Sequence, residues 1–256
     1  MKPSSLDSQQ LLERKETVFL ILSGIFLGSM SLLNVIGITK FIELGPLQVA
    51  VGVLPYPITF LCTDLIGEFY GKKRASNVVW VGLGVNFLIL GIMWLGEHLP
   101  SVPPEAQPPW QTLELAKDVY LPNGAKVVGP TDLFTLIYSN TAGAVFASMA
   151  AYMAAQFCDV QLFHFWKKKT KGKHLWLRNN GSTVVSQLVD SVTVIGITFG
   201  AAFYRGEMSL TIMFSLLISN YLFKVTTALV DTIPFYLLTR YLKSYLQIDP
   251  NEEFKN

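Results

Sequence analysis

Charged residues are scarce in this sequence: Asp, Glu, Lys and Arg make up 15% of 256 residues, whereas hydrophobic residues make up 51%. The chain has only two cysteines and three histidines, and the histidines show no metal-ligand spacing. It contains no phosphate-binding glycine loop and no serine nucleophile elbow. A formal net charge of +2 is too small for a nucleic-acid-binding surface. We therefore expect no enzymatic activity, no cofactor, no metal and no nucleic-acid partner.

The hydrophobic residues are concentrated in six runs that are each long enough to cross a bilayer, which takes about 20 residues. The runs are Val18–Thr39, Leu47–Ile66, Asn77–Gly96, Leu133–Phe157, Ser182–Tyr204 and Leu210–Leu238. The first run is too long for the core of a signal peptide, and no small-residue cleavage site follows it. The sequence predicts an all-α polytopic membrane protein with six transmembrane helices.

The basic residues predict the orientation of these helices. Alternate segments outside the runs hold fifteen Lys and Arg residues on one side and four on the other. The positive-inside rule places the richer side, and hence both termini, in the cytoplasm. We expect cytoplasmic tails at 1–17 and 241–256 on either side of one transmembrane domain at 18–240.

Two connections stand out between the predicted helices. The outer loop at about 97–132 holds seven of the thirteen prolines and cannot be one regular helix. Within it, Trp110–Tyr120 fits either a short amphipathic helix at the interface or an irregular linker. The cytoplasmic loop at about 158–181 is strongly basic.

Three aspartates recur at similar places in the predicted topology. Asp64, Asp159 and Asp231 each end a helix that runs from outside to inside, and aromatic and then basic residues follow each of them. General membrane topology explains the aromatic and basic residues, but not the recurrent Asp. The pattern is compatible with three helical-hairpin repeats and equally with chance.

Two polar pairs flank the basic loop at the ends of long apolar runs. They are Gln156/Asp159 and Gln187/Asp190, and the i, i+3 spacing puts both members of a pair on one helix face. A carboxylate at membrane depth is costly and usually faces a bundle interior or a solute path. These pairs indicate a transporter.

The second apolar run carries a further candidate site. Pro55 and Pro57 are expected to interrupt its helix near the middle, as in the broken helices that line solute sites. Asp64 and Glu68 share one face at i, i+4 spacing. Asp64 is the deeper of the two and the better candidate for a site or gating role, whereas Glu68 could simply be solvated at the headgroups.

The last apolar run contains a polar stripe. Asn220, Lys224 and Asp231 lie within about 40° of one another at 100° per residue. Burying a central lysine costs about 2.5–3.5 kcal/mol, so a compensating group is required. Lys224 is expected either to pair with an aspartate of another helix or to serve in solute binding or ion coupling.

Asn34 and Asn86 are single amides in otherwise apolar helices, which more often join helices than bind ligands. The combined set of carboxylates, amides, one lysine and nearby aromatics would suit a flat, neutral heterocycle with several hydrogen-bonding groups. The candidate substrate-binding residues are Asn34, Asp64, Glu68, Asn86, Gln156, Asp159, Gln187, Asp190, Asn220, Lys224 and Asp231.

Three stretches resemble the motifs of the queuosine-precursor transporters, also called the vitamin-uptake transporter family. They are Pro57–Lys73, Gln156–Lys167 and Trp176–Asp190, in the same order and spread over most of the membrane portion. The resemblance implies an inner-membrane importer of a deazapurine precursor of the tRNA base queuosine. The implied cargo is 7-cyano-7-deazaguanine or its 7-aminomethyl relative.

The sequence leaves the mode of transport open between facilitated diffusion and ion coupling. An alternative is a substrate-binding membrane subunit that docks on a separate ATP-driven module. The expected partners are the deazapurine and the lipid bilayer, and a second copy of the chain or an unknown transport module is also compatible with the sequence.

Overall fold

The computed structural model describes residues 8–121, 124–170 and 175–247, and 75% of these residues are helical. Five stretches of helix in this part are long and apolar enough to cross a membrane, which agrees with a polytopic membrane protein. The six helices are α1 (Ser8–Ile36), α2 (Tyr56–His98), α3 (Leu133–Lys169), α4 (Leu175–Tyr204), α5 (Leu210–Val230) and α6 (Thr232–Leu246).

The second predicted span, Leu47–Ile66, is not one helix. Strands β1 (Phe41–Leu44) and β2 (Leu47–Ala50) form an antiparallel hairpin with Leu44 opposite Leu47. Gly45 has a φ of 62° in the two-residue turn between them, a conformation that glycine adopts without strain. A 3₁₀ turn then leads toward α2.

Helix α2 begins at Tyr56, between the two prolines that were expected to interrupt it. Pro55 precedes the helix and Pro57 lies in its first turn, where a missing N–H breaks no hydrogen bond. The expectation of a break in mid-helix at these prolines is therefore wrong.

A break does occur further along α2, at Gly71, whose φ of 82° and ψ of 160° are not helical. The part before the break, 56–70, rises about 22 Å at 1.5 Å per residue. That is less than the roughly 30 Å hydrocarbon thickness of a bilayer. The part after it, Lys73–His98, is a candidate span. The described residues thus contain five candidate spans, whereas the sequence predicted six.

The last predicted span also differs from one straight helix. Helix α5 ends at Val230, Asp231 forms a turn, and α6 continues from Thr232 to Leu246. Pro234 explains the position of this junction, because it cannot donate a backbone hydrogen bond to the carbonyl four residues earlier.

Helices α3 and α4 pack against each other. The region predicted as a basic loop at 158–181 is helical through Lys169 and again from Leu175. The predicted loop is thus much shorter than expected, because Lys and Arg are good helix formers and continue the helix beyond the apolar run.

In the segment between α2 and α3, the described residues form four short strands: β3 (Thr112–Glu114), β4 (Val119–Tyr120), β5 (Lys126–Val127) and β6 (Pro130–Asp132). They pair as β3 with β6 and β4 with β5, both antiparallel. The amphipathic helix considered for Trp110–Tyr120 is not present. Lys126 of β5 donates a hydrogen bond from Nζ to Asp118 Oδ2, next to β4, at 3.0 Å, and this contact raises the pKa of the lysine.

The chain divides into two compact units. Unit 1 comprises Met1–Leu32, Leu54–Val85 and Thr226–Asn256, and unit 2 comprises Leu33–Val53 and Asn86–Val225. Two apolar clusters form the core of unit 1. One contains Phe26, Cys62, Ile66 and Val78, and the other contains Leu65, Phe69, Leu242 and Leu246.

Many large apolar side chains on the spanning helices are exposed, including Leu20, Trp80, Ile92 and Phe146. A soluble protein rarely exposes apolar surface on this scale, whereas a membrane protein presents it to lipid.

Candidate functional site

A buried ion pair joins α4 and α5 within unit 2. Lys224 Nζ donates a hydrogen bond to Asp190 Oδ2, and the lysine side chain is 1% exposed. Asp190 is 16% exposed, so the pair is accessible only from the carboxylate side. Lys224 does not reach toward the membrane surface. This pairing corresponds to one of the two roles expected for Lys224, an ion pair with an aspartate of another helix.

A second polar contact between the same two helices lies one turn away. Asn220 Nδ2 donates to Ser191 Oγ at 3.2 Å, and both residues are buried. Because Asn220 and Lys224 are four residues apart on α5, they present their polar groups to α4 on one face. Gln187 is half-buried on α4, one turn before Asp190.

Asn34 and Asn86 form part of a separate amide network in unit 2. Asn34 Nδ2 donates to Asn86 Oδ1 at 3.0 Å, and Ser148 Oγ donates to Asn34 Oδ1 at 3.1 Å. The two asparagines are 2% and 1% exposed. The network links α1, α2 and α3, which is the role expected of single amides in membrane helices.

The remaining candidates described with their side chains belong to unit 1. Asp64 and Glu68 are exposed on the first part of α2, and Asp231 lies at the junction of α5 and α6. The negative charge of Asp231 acts on the Asp64 carboxylate within unit 1. Asp231 Oδ2 is buried and, among the described residues, has no hydrogen-bond partner. Unit 1 therefore contains a pair of acidic groups with one unsatisfied oxygen.

Gln156 and Asp159 belong to α3, but the structure describes only their backbone and not their side chains. The predicted contacts of this polar pair therefore stay predictions.

Sequence reasoning missed the hydroxyl groups that complete these contacts. Ser148 and Ser191 bind the predicted asparagines, and Ser219 Oγ accepts a hydrogen bond from the backbone N–H of Gln48 at 3.1 Å. Serine is common in membrane helices, so only its position next to Asp190 or one residue before Asn220 could have drawn attention to it.

Comparison with known proteins gives two matches. Residues 50–238 match a family described as "Putative vitamin uptake transporter". A protein of Bacillus subtilis (strain 168), named "Probable queuosine precursor transporter", is 26% identical over 199 residues, covering 76% of this chain and 73% of the relative. No solved structure matches the chain. The family match includes every candidate site residue except Asn34.

Proposed function

Because the chain belongs to the vitamin uptake transporter family and is a multi-pass membrane transporter, we propose that it imports a precursor of tRNA queuosine across the cell's inner membrane. The proposed cargo is 7-cyano-7-deazaguanine, its 7-aminomethyl relative, or both. The name of the Bacillus subtilis relative supports this cargo class. Within the chain, the observation that carries the proposal is the buried Lys224–Asp190 pair.

This pair offers one strong donor and one strong acceptor side by side. A deazaguanine ring has a carbonyl next to a ring N–H, so the carbonyl could accept from Lys224 while the N–H donates to Asp190. Such binding would exchange a contact within the pair for two contacts to the cargo. Neither buried charge would then be left uncompensated, which is the costly outcome.

Neighbouring groups extend the same recognition surface. Asn220 and Gln187 are carboxamides within one turn of the pair along their helices, and a carboxamide both donates and accepts. The proposed cargo also has an exocyclic amine that needs an acceptor. A hydrocarbon cargo would use none of these groups.

The carboxylates of unit 1 favour ion coupling over simple facilitated diffusion. Asp64 and Asp231 interact electrostatically, and one oxygen of Asp231 is buried with no partner among the described residues. Like charges that act on each other favour protonation of one carboxylate, because keeping both charged costs free energy. We assign them the role of carrying a proton with the cargo.

The test is restoration of queuosine in tRNA. A host that lacks both the biosynthetic pathway and its own importer would express this chain alone, with 7-cyano-7-deazaguanine supplied at nanomolar concentration. Restored queuosine is the expected result, and Lys224→Ala is expected to abolish it. Lys40→Ala, at an exposed lysine between α1 and β1, is the matched control and should leave it unchanged.

A well-inserted protein that restores no queuosine from the cyano base, the aminomethyl base or queuine would contradict the proposal. Restoration that requires an added ATP-driven module would favour the alternative of a substrate-binding subunit.

A further inference from the structure

A cavity of about 440 Å³ lies in unit 2 where α2 ends and α3 begins. Its polar lining combines carboxylates, hydroxyls, two amides and an indole: Glu97, Ser101, Gln107, Trp110, Gln111, Asp132 and Thr135. Pockets for small molecules have volumes of roughly 300–1,000 Å³, so this one is large enough for a two-ring heterocycle. None of its polar lining residues was singled out from the sequence.

We propose that this cavity is an entry site, where a planar heterocycle with several N–H groups binds before it reaches the membrane-embedded residues. The inference rests on the proposed function for its cargo class. The cavity belongs to the segment that the distribution of Lys and Arg places on the outer side of the membrane. Cargo arriving from outside would therefore meet it first.

The two carboxylates of the cavity are held in place by hydroxyl groups. Thr135 Oγ1 donates to both Glu97 oxygens, at 2.8 and 3.0 Å, and Ser101 Oγ donates to Asp132 Oδ2 at 3.4 Å. A carboxylate has about four acceptor positions, so each retains free ones after these contacts. Adjacent ring N–H and exocyclic amine groups are donors that such acceptors bind well.

Trp110 supplies a flat surface beside these acceptors. Its side chain is 68% exposed, and neither its ring nor its N–H contacts a partner in the described part of the chain. Stacking on an aromatic side chain favours any planar base, because every base has a π-face. A tryptophan that only anchored the loop at the membrane interface would contribute nothing to cargo binding.

Gln111 adds a side-chain amide to the cavity, and its backbone is held by two hydrogen bonds. Its backbone N–H donates to Pro108 and its carbonyl accepts from Leu133 N–H, at 3.0 and 2.7 Å. Its side chain makes no hydrogen bond to any described residue. A rigid backbone with a free carboxamide is suited to reading a ring carbonyl.

Binding of 7-cyano-7-deazaguanine to the purified full chain tests the inference directly. We expect Trp110→Ala to raise the Kd about 5- to 150-fold, the range of stacking losses measured by alanine substitution. Trp110→Phe keeps a flat ring and should stay within about threefold of wild type. Trp80→Ala, an equally exposed tryptophan on α2 that does not line the cavity, is the matched control.

A second variant tests the acceptors. Glu97→Gln replaces one acceptor oxygen with a donor and is expected to weaken binding about tenfold while preserving the volume of the side chain. Thermal unfolding in detergent separates a loss of folding from a loss of binding for each variant. A Kd for Trp110→Ala within twofold of wild type would overturn the inference.

The outcomes distinguish the entry site from the proposed function. If the wild type transports the base and Trp110→Ala and Glu97→Gln transport it with the same KM, the entry site is overturned and the proposed function stands. Binding that depends on Trp110 without any uptake would support the entry site and contradict the function. A wild-type chain that neither binds nor transports the base would overturn both.

Discussion

A lysine that is 1% exposed in a membrane protein needs a compensating carboxylate, and Asp190 provides it for Lys224. Removing either partner leaves one charge buried and unpaired, which costs about 3–5 kcal/mol. We therefore expect Lys224→Ala and Asp190→Asn each to lower both stability and uptake, the latter at least tenfold. SDS unfolding and radiolabelled uptake in vesicles measure the two effects.

The double variant Lys224→Met/Asp190→Asn separates structure from transport. With both charges removed, stability should return to within about 1–2 kcal/mol of wild type, because paired charges can be replaced by uncharged groups at little cost. Uptake should stay abolished if the pair binds cargo. Recovery of uptake together with stability would show that the pair serves only folding.

The Asn34–Asn86 hydrogen bond is expected to act differently, as a contact that stabilises the helices. Asn86→Ala should cost about 1–2 kcal/mol of unfolding free energy, and a double-mutant cycle with Asn34→Ala should yield a coupling near 0.6 kcal/mol, typical of interhelical hydrogen bonds. SDS titration measures both quantities. An uptake KM that changes tenfold in a fully folded Asn86→Ala variant would instead assign these amides to cargo binding.

At the scale of single residues, the sequence predicted which side chains are unusual but not which partners they contact. Asp190, Asn220 and Lys224 stand out because polar groups are rare in apolar runs. Their contacts depend on the rotation and register of each helix about its neighbours, which no single-helix pattern specifies. The partners Ser148 and Ser191 were missed for the same reason.

Helix α2 gives the clearest prediction at the scale of elements. Gly71 has a φ of 82°, whereas Gly67, one turn earlier, is helical, and an added Cβ would meet no atom within 4 Å at either position. Gly71→Ala should therefore lose about 1–3 kcal/mol through backbone strain alone. Gly67→Ala should gain up to about 1 kcal/mol.

Unfolding free energies of the two alanine variants, measured side by side, check this contrast. Equal stability of Gly71→Ala and Gly67→Ala would mean that α2 is straight at Gly71.

Hydropathy predicted the apolar runs better than it predicted where each helix begins and ends. Hydropathy located the apolar runs well, because the bilayer selects for about 20 consecutive apolar residues. It placed the second run wrongly, because Leu47–Ala50 is apolar enough for a membrane helix yet forms a strand. It also missed that charged residues continue α2 and α3 past their apolar runs.

At the scale of the whole molecule, the Asp64–Asp231 pair predicts that transport responds to a proton gradient. Vesicles with an acidic exterior should accumulate the base several-fold faster than vesicles with equal pH on both sides. Asp231→Asn and Asp64→Asn should each weaken or remove this acceleration, because each variant removes one of the two carboxylates proposed to carry the proton. Glu43→Gln, at an exposed carboxylate in β1, should keep it. Wild-type uptake that is indifferent to the gradient would establish a facilitator.

The Lys224–Asp190 pair also has a consequence for biogenesis. Helix α5 carries its lysine into the membrane at a cost of about 2.5–3.5 kcal/mol if it enters alone. Its counter-charge is on α4, the helix synthesised immediately before it, so the partner is already present when α5 leaves the ribosome. We expect α4 and α5 to leave the insertion machinery together with Lys224 and Asp190 already paired, and a nascent chain with Asp190→Asn to stall at this step.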